Sequence, residues 1–500
     1  MNELTSQVRS RFLRRRWVRS LAPVALVAAL AGCASGGTMD IYSDVLRGFF
    51  ARPADATVTD EMLANTPFAY LEARREGSAQ SVLVLGWQEN GEDTWVSAGN
   101  ELLILRHGRV VRTLGLPSDR VHTASAEADP LALASSPEAL HGRQWRSTLD
   151  WAGHAGAGFL AYSRFHDHGT VTREIRAGET RTLRRMEEQV ELRQAGIRYS
   201  NWFYLDDDGA MVKSRQYVHP DQPPLTLVMV RPPGPTPQPR PPEPLGAEVS
   251  PDPTRIELSL PDGQRLALPP GPQRLSTLLL LASDGQPTWW PGLRLYRLDG
   301  GRAAAARALR EELVADLEAL AQRRGWPGGE RRRYAERAAA ITGLIERLPP
   351  APPGEVQPVV LDLPQLRRTP ALDVLLPPGH YLLTRRPRPE VLTLAGLVEH
   401  PGERGFVPGR SVAAYLAVEN LLAGAHADQA WVIGPEGDVA EVPVALWNRE
   451  FALPQPGSTL LVGLARRGWG REAATLDRRL AEFHAAQPHA GTPVAPEVRP

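Results

Sequence analysis

Short apolar or alternating segments, each followed by a turn sequence, make up most of the first half of the chain. Residues 102–105 and 109–114, for example, flank Arg106-His107-Gly108 in the pattern of a β-hairpin. Similar pairs of segments recur up to about residue 230. A succession of hairpins predicts an antiparallel β-rich domain, barrel-like or folded as a sandwich, over residues 33–230.

Two amphipathic helices are predicted in the second half of the chain. The first, over residues 302–323, places Leu309, Leu313, Leu317 and Leu320 on one face. The second, over residues 330–348, repeats apolar residues at intervals of three and four. This pattern predicts an αα-hairpin, residues 302–348, whose narrow apolar seam packs on a sheet or on a partner.

The segment that follows the αα-hairpin returns to strand patterns. Within residues 389–465, strand-like segments surround a short helical pattern and end on turn sequences such as Pro435-Glu436-Gly437-Asp438. Strand pairs combined with one helix in so short a segment indicate a small β-grasp-like α+β unit.

A third amphipathic pattern lies near the C-terminus, within residues 466–486. Trp469, Ala473, Leu476, Leu480 and Phe483 follow one another at intervals of four and three residues, and arginines and glutamates occupy the other face. A helix of about 17 residues is roughly 25 Å long, which is short for a membrane span. Packing on its own domain and docking on a partner or membrane surface both remain open. The tail, residues 487–500, is predicted to be disordered.

Ten prolines fall within residues 231–253. Proline cannot donate a backbone hydrogen bond and favours an extended backbone, so this segment is predicted to be a semi-rigid linker. It is the clearest domain boundary in the sequence.

The first 32 residues have the pattern of a signal peptide. Six arginines and one glutamate precede an apolar run over residues 21–30, which is only about 15 Å long as a helix and therefore too short to be a membrane span. Leu30-Ala31-Gly32-Cys33 follows and resembles the lipobox of bacterial lipoproteins. That resemblance implies cleavage between Gly32 and Cys33, acylation of Cys33 and, with Ala34 next, transfer to the outer membrane. An ordinary secretory signal with an incidental cysteine is the alternative.

Composition and charge narrow the choice of function. The 500 residues are 42% hydrophobic and 23% charged, which is typical of globular proteins and predicts about three domains. Basic and acidic residues number 57 each, so no excess of positive charge favours nucleic acid. Cleavage after Gly32 leaves 51 basic and 56 acidic residues. Because Cys33 is the only cysteine, an intrachain disulfide is excluded.

Three features of the first half carry a resemblance to a known family. They are the lipobox, Ile41-Tyr42-Ser43-Asp44 at a helix start, and Trp202-Phe203-Tyr204 before a turn at Gly209. In these features, residues 33–230 resemble the YjbF/GfcB-type lipoproteins, β-rich outer-membrane lipoproteins encoded with capsule and exopolysaccharide genes.

The second half resembles a different family. Trp290-Pro291-Gly292 precedes a strand and the helical hairpin, and residues 391–402 are similar to the β-grasp repeats of polysaccharide export proteins. Trp447-Asn448 and the last helix follow. Residues 254–486 thus resemble the GfcC/YjbG-type capsule-biosynthesis proteins. The resemblance implies a periplasmic, non-enzymatic unit with β-grasp domains over 254–388 and 389–465. Together, the two resemblances imply a natural fusion of proteins that act together.

The search for chemistry yields few candidates. Trp289 and Trp290 are the candidate carbohydrate contacts, because an indole ring can stack on a sugar, although large aromatic residues most often pack in cores. His166-Asp167-His168, with His154 nearby, could hold a metal ion, but a polar loop is the simpler interpretation. The basic run Arg331-Arg332-Arg333 could meet an acidic polysaccharide or simply be a solvated helix start. No catalytic residue, metal site or cofactor is predicted.

These observations predict a non-enzymatic outer-membrane lipoprotein, anchored through Cys33 on the periplasmic face, that supports assembly or export of a capsular or extracellular polysaccharide as a scaffold. The expected partners are outer-membrane lipid, a polysaccharide export channel and the polysaccharide itself. A polysaccharide-modifying enzyme and a general envelope or cell-wall-binding lipoprotein are the alternatives.

Overall fold

The computed structural model describes residues 55–133, 137–152, 156–234, 254–260, 262–283, 285, 287–322, 331–470 and 472–488. All of these residues belong to one compact unit, Arg52–Pro500. The predicted signal peptide, Gly32, Cys33, most of the proline-rich segment and nearly all of the predicted tail lie outside the described residues.

The first half of the chain forms one antiparallel sheet of 12 strands, preceded by a short helix, α1 (Asp60–Asn65). The strands are β1 (Tyr70–Arg75), β2 (Ser81–Glu89), β3 (Glu92–Ser97), β4 (Leu102–Arg106), β5 (Arg109–Leu114), β6 (Arg120–Ala124), β7 (Gln144–Trp151), β8 (Phe159–Arg176), β9 (Glu179–Leu192), β10 (Ile197–Leu205), β11 (Met211–Gln216) and β12 (Leu225–Arg231). Neighbours in sequence pair antiparallel except for β5 and β6, which form the two ends of the sheet, and β1 pairs with β12.

The two end strands of this sheet, β5 and β6, approach each other through side chains. Arg120 Nη1 donates to the Val110 carbonyl at 2.9 Å, and Thr123 Oγ1 donates to the Val111 carbonyl at 2.9 Å. The Arg120 backbone N–H donates to Thr113 Oγ1 at 3.0 Å. These bonds bring the sheet close to a closed barrel. The predicted antiparallel, barrel-like β domain is confirmed.

The barrel buries large apolar side chains together with several arginines, of which Arg109 is the least exposed. Trp95, Phe165 and Phe203 are fully buried. Arg109 lies over the ring of Trp145, 4.5 Å from its centre, and donates from Nη1 to Glu188 Oε2 at 2.7 Å. Burial lowers the pKa of Arg109, but the carboxylates of Glu188 and Asp129 outweigh that effect and hold the pKa above its ordinary value.

The second half contains two five-stranded mixed sheets with the same topology. The first sheet consists of β13 (Ile256–Ser259), β14 (Arg265–Ala267), β16 (Leu293–Arg297), β17 (Glu355–Val356) and β19 (Gly379–Arg385). The second consists of β20 (Val391–Gly396), β21 (Gly402–Gly405), β22 (Gln429–Ile433), β23 (Val439–Pro443) and β24 (Thr459–Val462). In each, the first and last strands are parallel neighbours at the centre, and the order is second, first, fifth, third, fourth.

Smaller elements complete these two sheets. The pair β15 (Gln273–Arg274) and β18 (Leu375–Leu376) stands apart from both. The short helices α2 (Leu275–Leu281) and α5 (Leu363–Arg368) contribute to the core of the first sheet, and α6 (Val412–Leu416) contributes to that of the second.

An αα-hairpin, α3 (Arg302–Ala321) and α4 (Arg331–Glu346), is inserted between β16 and β17. The hairpin interrupts the first sheet, but it packs on the second sheet. Leu317 of α3 and Ile341 of α4 share a hydrophobic cluster with Leu461 of β24 and with Leu397, which follows β20. Leu309, which the sequence pattern places on the seam, is 60% exposed.

The C-terminus ends in the short helix α7 (Arg466–Trp469) and the amphipathic helix α8 (Glu472–Ala485). Leu476, Leu480 and Phe483 of α8 are buried in the cluster that holds the αα-hairpin. The helix therefore packs on its own chain, which decides between the two arrangements that the sequence left open. Among the described helices, none is both long enough and apolar enough to cross a membrane.

Candidate functional site: an arginine-lined cleft

The predicted carbohydrate contacts, Trp289 and Trp290, differ in exposure. Trp289 is only 7% exposed, and a Cβ atom at Gly292 would lie 2.5 Å from its ring. Trp290 is half-buried and lines a cavity of about 220 Å³ that also contains Asp262 and Arg385. Stacking on a sugar stays a prediction, and Trp290 is the residue that has a cavity in front of it.

The histidine-rich segment is held by ion pairs and hydrogen bonds. His168 Nε2 lies 3.0 Å from Glu187 Oε2, and Asp167 pairs with Arg184. The hydrogen bond from Arg184 lowers the pKa of Asp167. Within the described residues, no group of three or more potential ligands could hold a metal ion. His154 lies outside them.

A cleft of about 580 Å³ lies between the two mixed sheets, beside the end of α4 and the C-terminal end of α8. Three arginines line it: Arg294 of β16, Arg347 just after α4, and Arg386 just after β19. None of the described lining residues is an aspartate or glutamate. We call this feature the arginine-lined cleft.

Arg294 is the most unusual residue of the arginine-lined cleft. It is only 6% exposed, and its Nε has no hydrogen-bond partner in the described structure. Among the described residues, its guanidinium makes one hydrogen bond, from Nη1 to the carbonyl of its neighbour Leu293, and this bond is long at 3.5 Å. Burial lowers the pKa of Arg294. A buried guanidinium that lacks a close carboxylate is costly to fold.

Titratable residues in and near the cleft affect its charge. Glu436 and Asp438 act on Arg294 only through space, without a hydrogen bond. Burial raises the pKa of Glu436, and Asp362 and Asp438 raise it further. Burial also lowers the pKa of His484, a lining residue, to about 4, so His484 is neutral at pH 7. Among the described carboxylates near the lining arginines, Glu403 lies 4.0 Å from Arg386, whereas Glu436 and Asp438 form no salt bridge with Arg294.

A larger cleft, of about 990 Å³, lies on strands β7 to β10 of the barrel and also contains arginines. There, however, Glu191 accepts from Arg193 at 3.1 Å and from Arg198 at 2.6 Å. Much of its positive charge is thus already compensated. The arginine-lined cleft is the better anion site because its lining carries no such carboxylate.

A guanidinium binds a carboxylate or phosphate through two parallel hydrogen bonds, and an anion would give Arg294 the partner it lacks. The arginine-lined cleft can therefore hold an acidic group. The sequence does not mark Arg294 as a candidate, because this residue belongs to no run of charged residues and to no nucleophile motif. The available signal was a single arginine inside the buried strand segment Leu293-Arg294-Leu295-Tyr296.

Comparisons with known proteins match the two halves separately. The family described as "Group 4 capsule polysaccharide lipoprotein gfcB, YjbF" matches residues 43–230, and the family "Capsule biosynthesis GfcC C-terminal" matches residues 400–487. The uncharacterized protein YjbG of Escherichia coli K12 is 36% identical over 197 residues, which cover 39% of this chain and 76% of YjbG. The chain belongs to the GfcC/YjbG family, and its residues 43–230 form a YjbF/GfcB-type domain in the same polypeptide.

Two further relatives, YjbF and GfcB, are separate chains. The uncharacterized lipoprotein YjbF of Escherichia coli K12 is 27% identical over 207 residues, 41% of this chain and 95% of YjbF. The uncharacterized lipoprotein GfcB of the same organism is 25% identical over 206 residues, 41% of this chain and 94% of GfcB. The crystal structure of the hypothetical lipoprotein YmcC from Escherichia coli aligns with 40% of this chain and all of its own, at 20% identity and a TM-score of 0.35. The predicted fusion is confirmed, and a role connected with capsule assembly or export follows from both families.

Proposed function

We propose that this fusion is a non-enzymatic lipoprotein of the outer membrane that faces the periplasm and supports assembly or export of a capsular or extracellular polysaccharide. Removal of residues 1–32 leaves Cys33 as the acylated N-terminus, and several acyl chains, palmitate among them, give stable anchoring where a single chain would not. The names of YjbF and GfcB, both lipoproteins, support the anchor.

The remaining chain serves as a scaffold with defined domains. We assign the lipoprotein domain to residues 33–230, the linker to 231–253 and two β-grasp domains to 254–388 and 389–465. The shared strand order of the two mixed sheets supports the β-grasp assignment. An export channel is the protein partner that such a scaffold would serve.

The arginine-lined cleft gives this scaffold a contact with the polymer. The observation that carries the proposal is Arg294, a buried arginine that faces a cleft without carboxylates and lacks an ion pair in the described structure. Many extracellular polysaccharides carry carboxylate or phosphate groups, and one such group would pair with Arg294 on entry. We infer that the cleft binds an acidic group of the exported polysaccharide.

The experiment is a binding titration of the purified mature chain with polygalacturonate fragments and with neutral dextran. We expect binding of the acidic polymer only, and a loss of about tenfold or more in affinity for Arg294→Met, since a charge-assisted hydrogen bond contributes about 1.5–3 kcal/mol. Arg307→Met, which changes an exposed arginine of α3 away from the cleft, is the matched control.

The stability of the Arg294→Met variant separates binding from folding. Removing a buried, unpaired charge should leave the thermal midpoint unchanged or raise it. Equal binding by the wild type and Arg294→Met, or equal affinity for dextran and polygalacturonate, would show that the cleft is not an acidic-group site.

A further inference from the structure

The barrel and the C-terminal half contact each other through three bidentate arginine–carboxylate salt bridges. The most buried of them joins Arg388, which follows β19, to Asp150 of β7. Arg388 Nε donates to Asp150 Oδ2 at 2.7 Å, and Nη2 donates to Oδ1 at 2.8 Å. The two side chains are only 6% and 7% exposed. Paired hydrogen bonds of this kind define both distance and orientation.

The other two pairs lie at helix α5. Asp362, whose carboxylate caps α5 by accepting from the Gln365 N–H at 3.1 Å, also pairs with Arg112 of β5 through both of its oxygens. Arg367 of α5 pairs with both oxygens of Glu89 at the end of β2. The side chains of all four paired residues are at least three-quarters buried.

Contacts without a carboxylate extend the same surface. Asn100 Nδ2 donates to the Arg368 carbonyl at 2.7 Å, and Arg368 Nε donates to the Asn100 carbonyl at 3.1 Å. On the barrel side, Gly158 lies so close to Phe406 that a Cβ atom there would be 2.5 Å from the ring. Both mixed-sheet domains therefore touch the barrel, the first through α5 and the second through Phe406.

Charge pairs of this kind act mainly as a recognition device. Each member is buried only because its partner is present, so an incorrect partner would leave charges buried without compensation. None of the three pairs lies in or next to residues 231–253 in sequence. The relatives of each half are separate chains, and YjbF is matched over 95% of its length by the barrel half alone.

We infer that the barrel carries a docking surface for a GfcC/YjbG-type domain, formed by Glu89, Arg112 and Asp150, and that this surface holds the two halves together without the linker. The proline-rich segment raises the local concentration of the two halves but is not required for their association. A separate GfcC/YjbG-type chain is the partner that the same surface fits.

The test starts from the intact folded chain, with a specific protease site inserted between Gly246 and Ala247. After cleavage, the two halves should elute together in gel filtration at micromolar concentration and physiological ionic strength. Separation of the cut halves, each still folded by circular dichroism, would overturn the inference.

A variant pair then tests the surface itself. In the cleaved chain, Arg388→Ala removes the ion-pair partner of the buried Asp150, which keeps only the hydrogen bond from the Gly158 N–H, and should weaken association by about 30-fold or more. Arg404→Ala is the matched control, because Arg404 makes a similar bidentate salt bridge with Glu419 within the C-terminal half. Equal association of the two variants would overturn the assignment of the surface, even if the cut halves stay together. Neither result depends on whether the arginine-lined cleft binds a polysaccharide.

Discussion

At the residue scale, the buried polar side chains of this protein fall into two groups. Asp477 represents the first: Trp431 Nε1 donates to its Oδ2 at 2.7 Å, and the Leu464 N–H donates to its Oδ1 at 2.7 Å. Burial raises the pKa of Asp477, and these two hydrogen bonds offset part of that effect. Arg294 represents the second group, since its guanidinium is buried without comparable partners. The first group stabilises the fold, whereas Arg294, which lines a cleft, is the residue that we propose for binding.

A residue of the first group should matter to stability far more than an exposed residue of the same helix. Asp477→Ala leaves two buried N–H groups without an acceptor and should lower the free energy of unfolding by about 2–4 kcal/mol. Glu482→Ala, on the exposed side of the same helix, should change it by less than about 0.5 kcal/mol. Urea unfolding of both variants measures the difference. Similar small effects for the two would mean that Asp477 does not fix α8.

At the element scale, the apolar pattern predicts which face of a helix is buried but not what covers it. The leucine spacing of α3 and α8 indicates two amphipathic helices, and both exist. That α3 and α8 share one cluster with the second mixed sheet depends on contacts between residues more than 100 positions apart, which periodicity does not encode. Leu309 continues the pattern of α3 past the end of its covered surface and is therefore exposed.

The same substitution at two leucines tests this packing. Leu480 of α8 is fully buried, so Leu480→Ala should cost about 2–5 kcal/mol. Leu309→Ala, on the exposed end of the α3 stripe, should cost less than about 0.5 kcal/mol. Denaturant unfolding of the purified chain compares them. A small effect at Leu480 would favour the rejected arrangement, in which α8 is free to dock elsewhere.

For the strands, too, the local sequence pattern predicts turns but not the length or the pairing of the strands. Hairpin turns such as that at Gly178 are predicted because glycine permits the positive φ of 78° found there. The strands on either side, β8 and β9, are 18 and 14 residues long, much longer than the segments of clear strand pattern. Polar and apolar residues alternate irregularly at their exposed ends, which hides their length. The pairing of β1 with β12, which joins two series of hairpins into one sheet, has no local signal in the sequence.

At the scale of the whole molecule, the sequence indicates domains of two families with a linker between them. The structure adds the contacts between the two halves. Proline content predicts the linker, but the pairs Arg388–Asp150 and Arg367–Glu89 join residues 238 and 278 positions apart. No sequence pattern predicts such contacts. They hold the barrel and the domains that form the arginine-lined cleft together in one compact unit, where a tethered module was expected.

The measurement that tests the central claim most directly is the amount of secreted and periplasmic polysaccharide in a strain that lacks this protein. The strain is complemented either with the full chain or with Cys33→Ser. We predict that loss of the protein lowers secretion, and that only the form with Cys33 restores it. An unchanged amount of polymer with an altered chemical composition would contradict the scaffold function and indicate an enzyme.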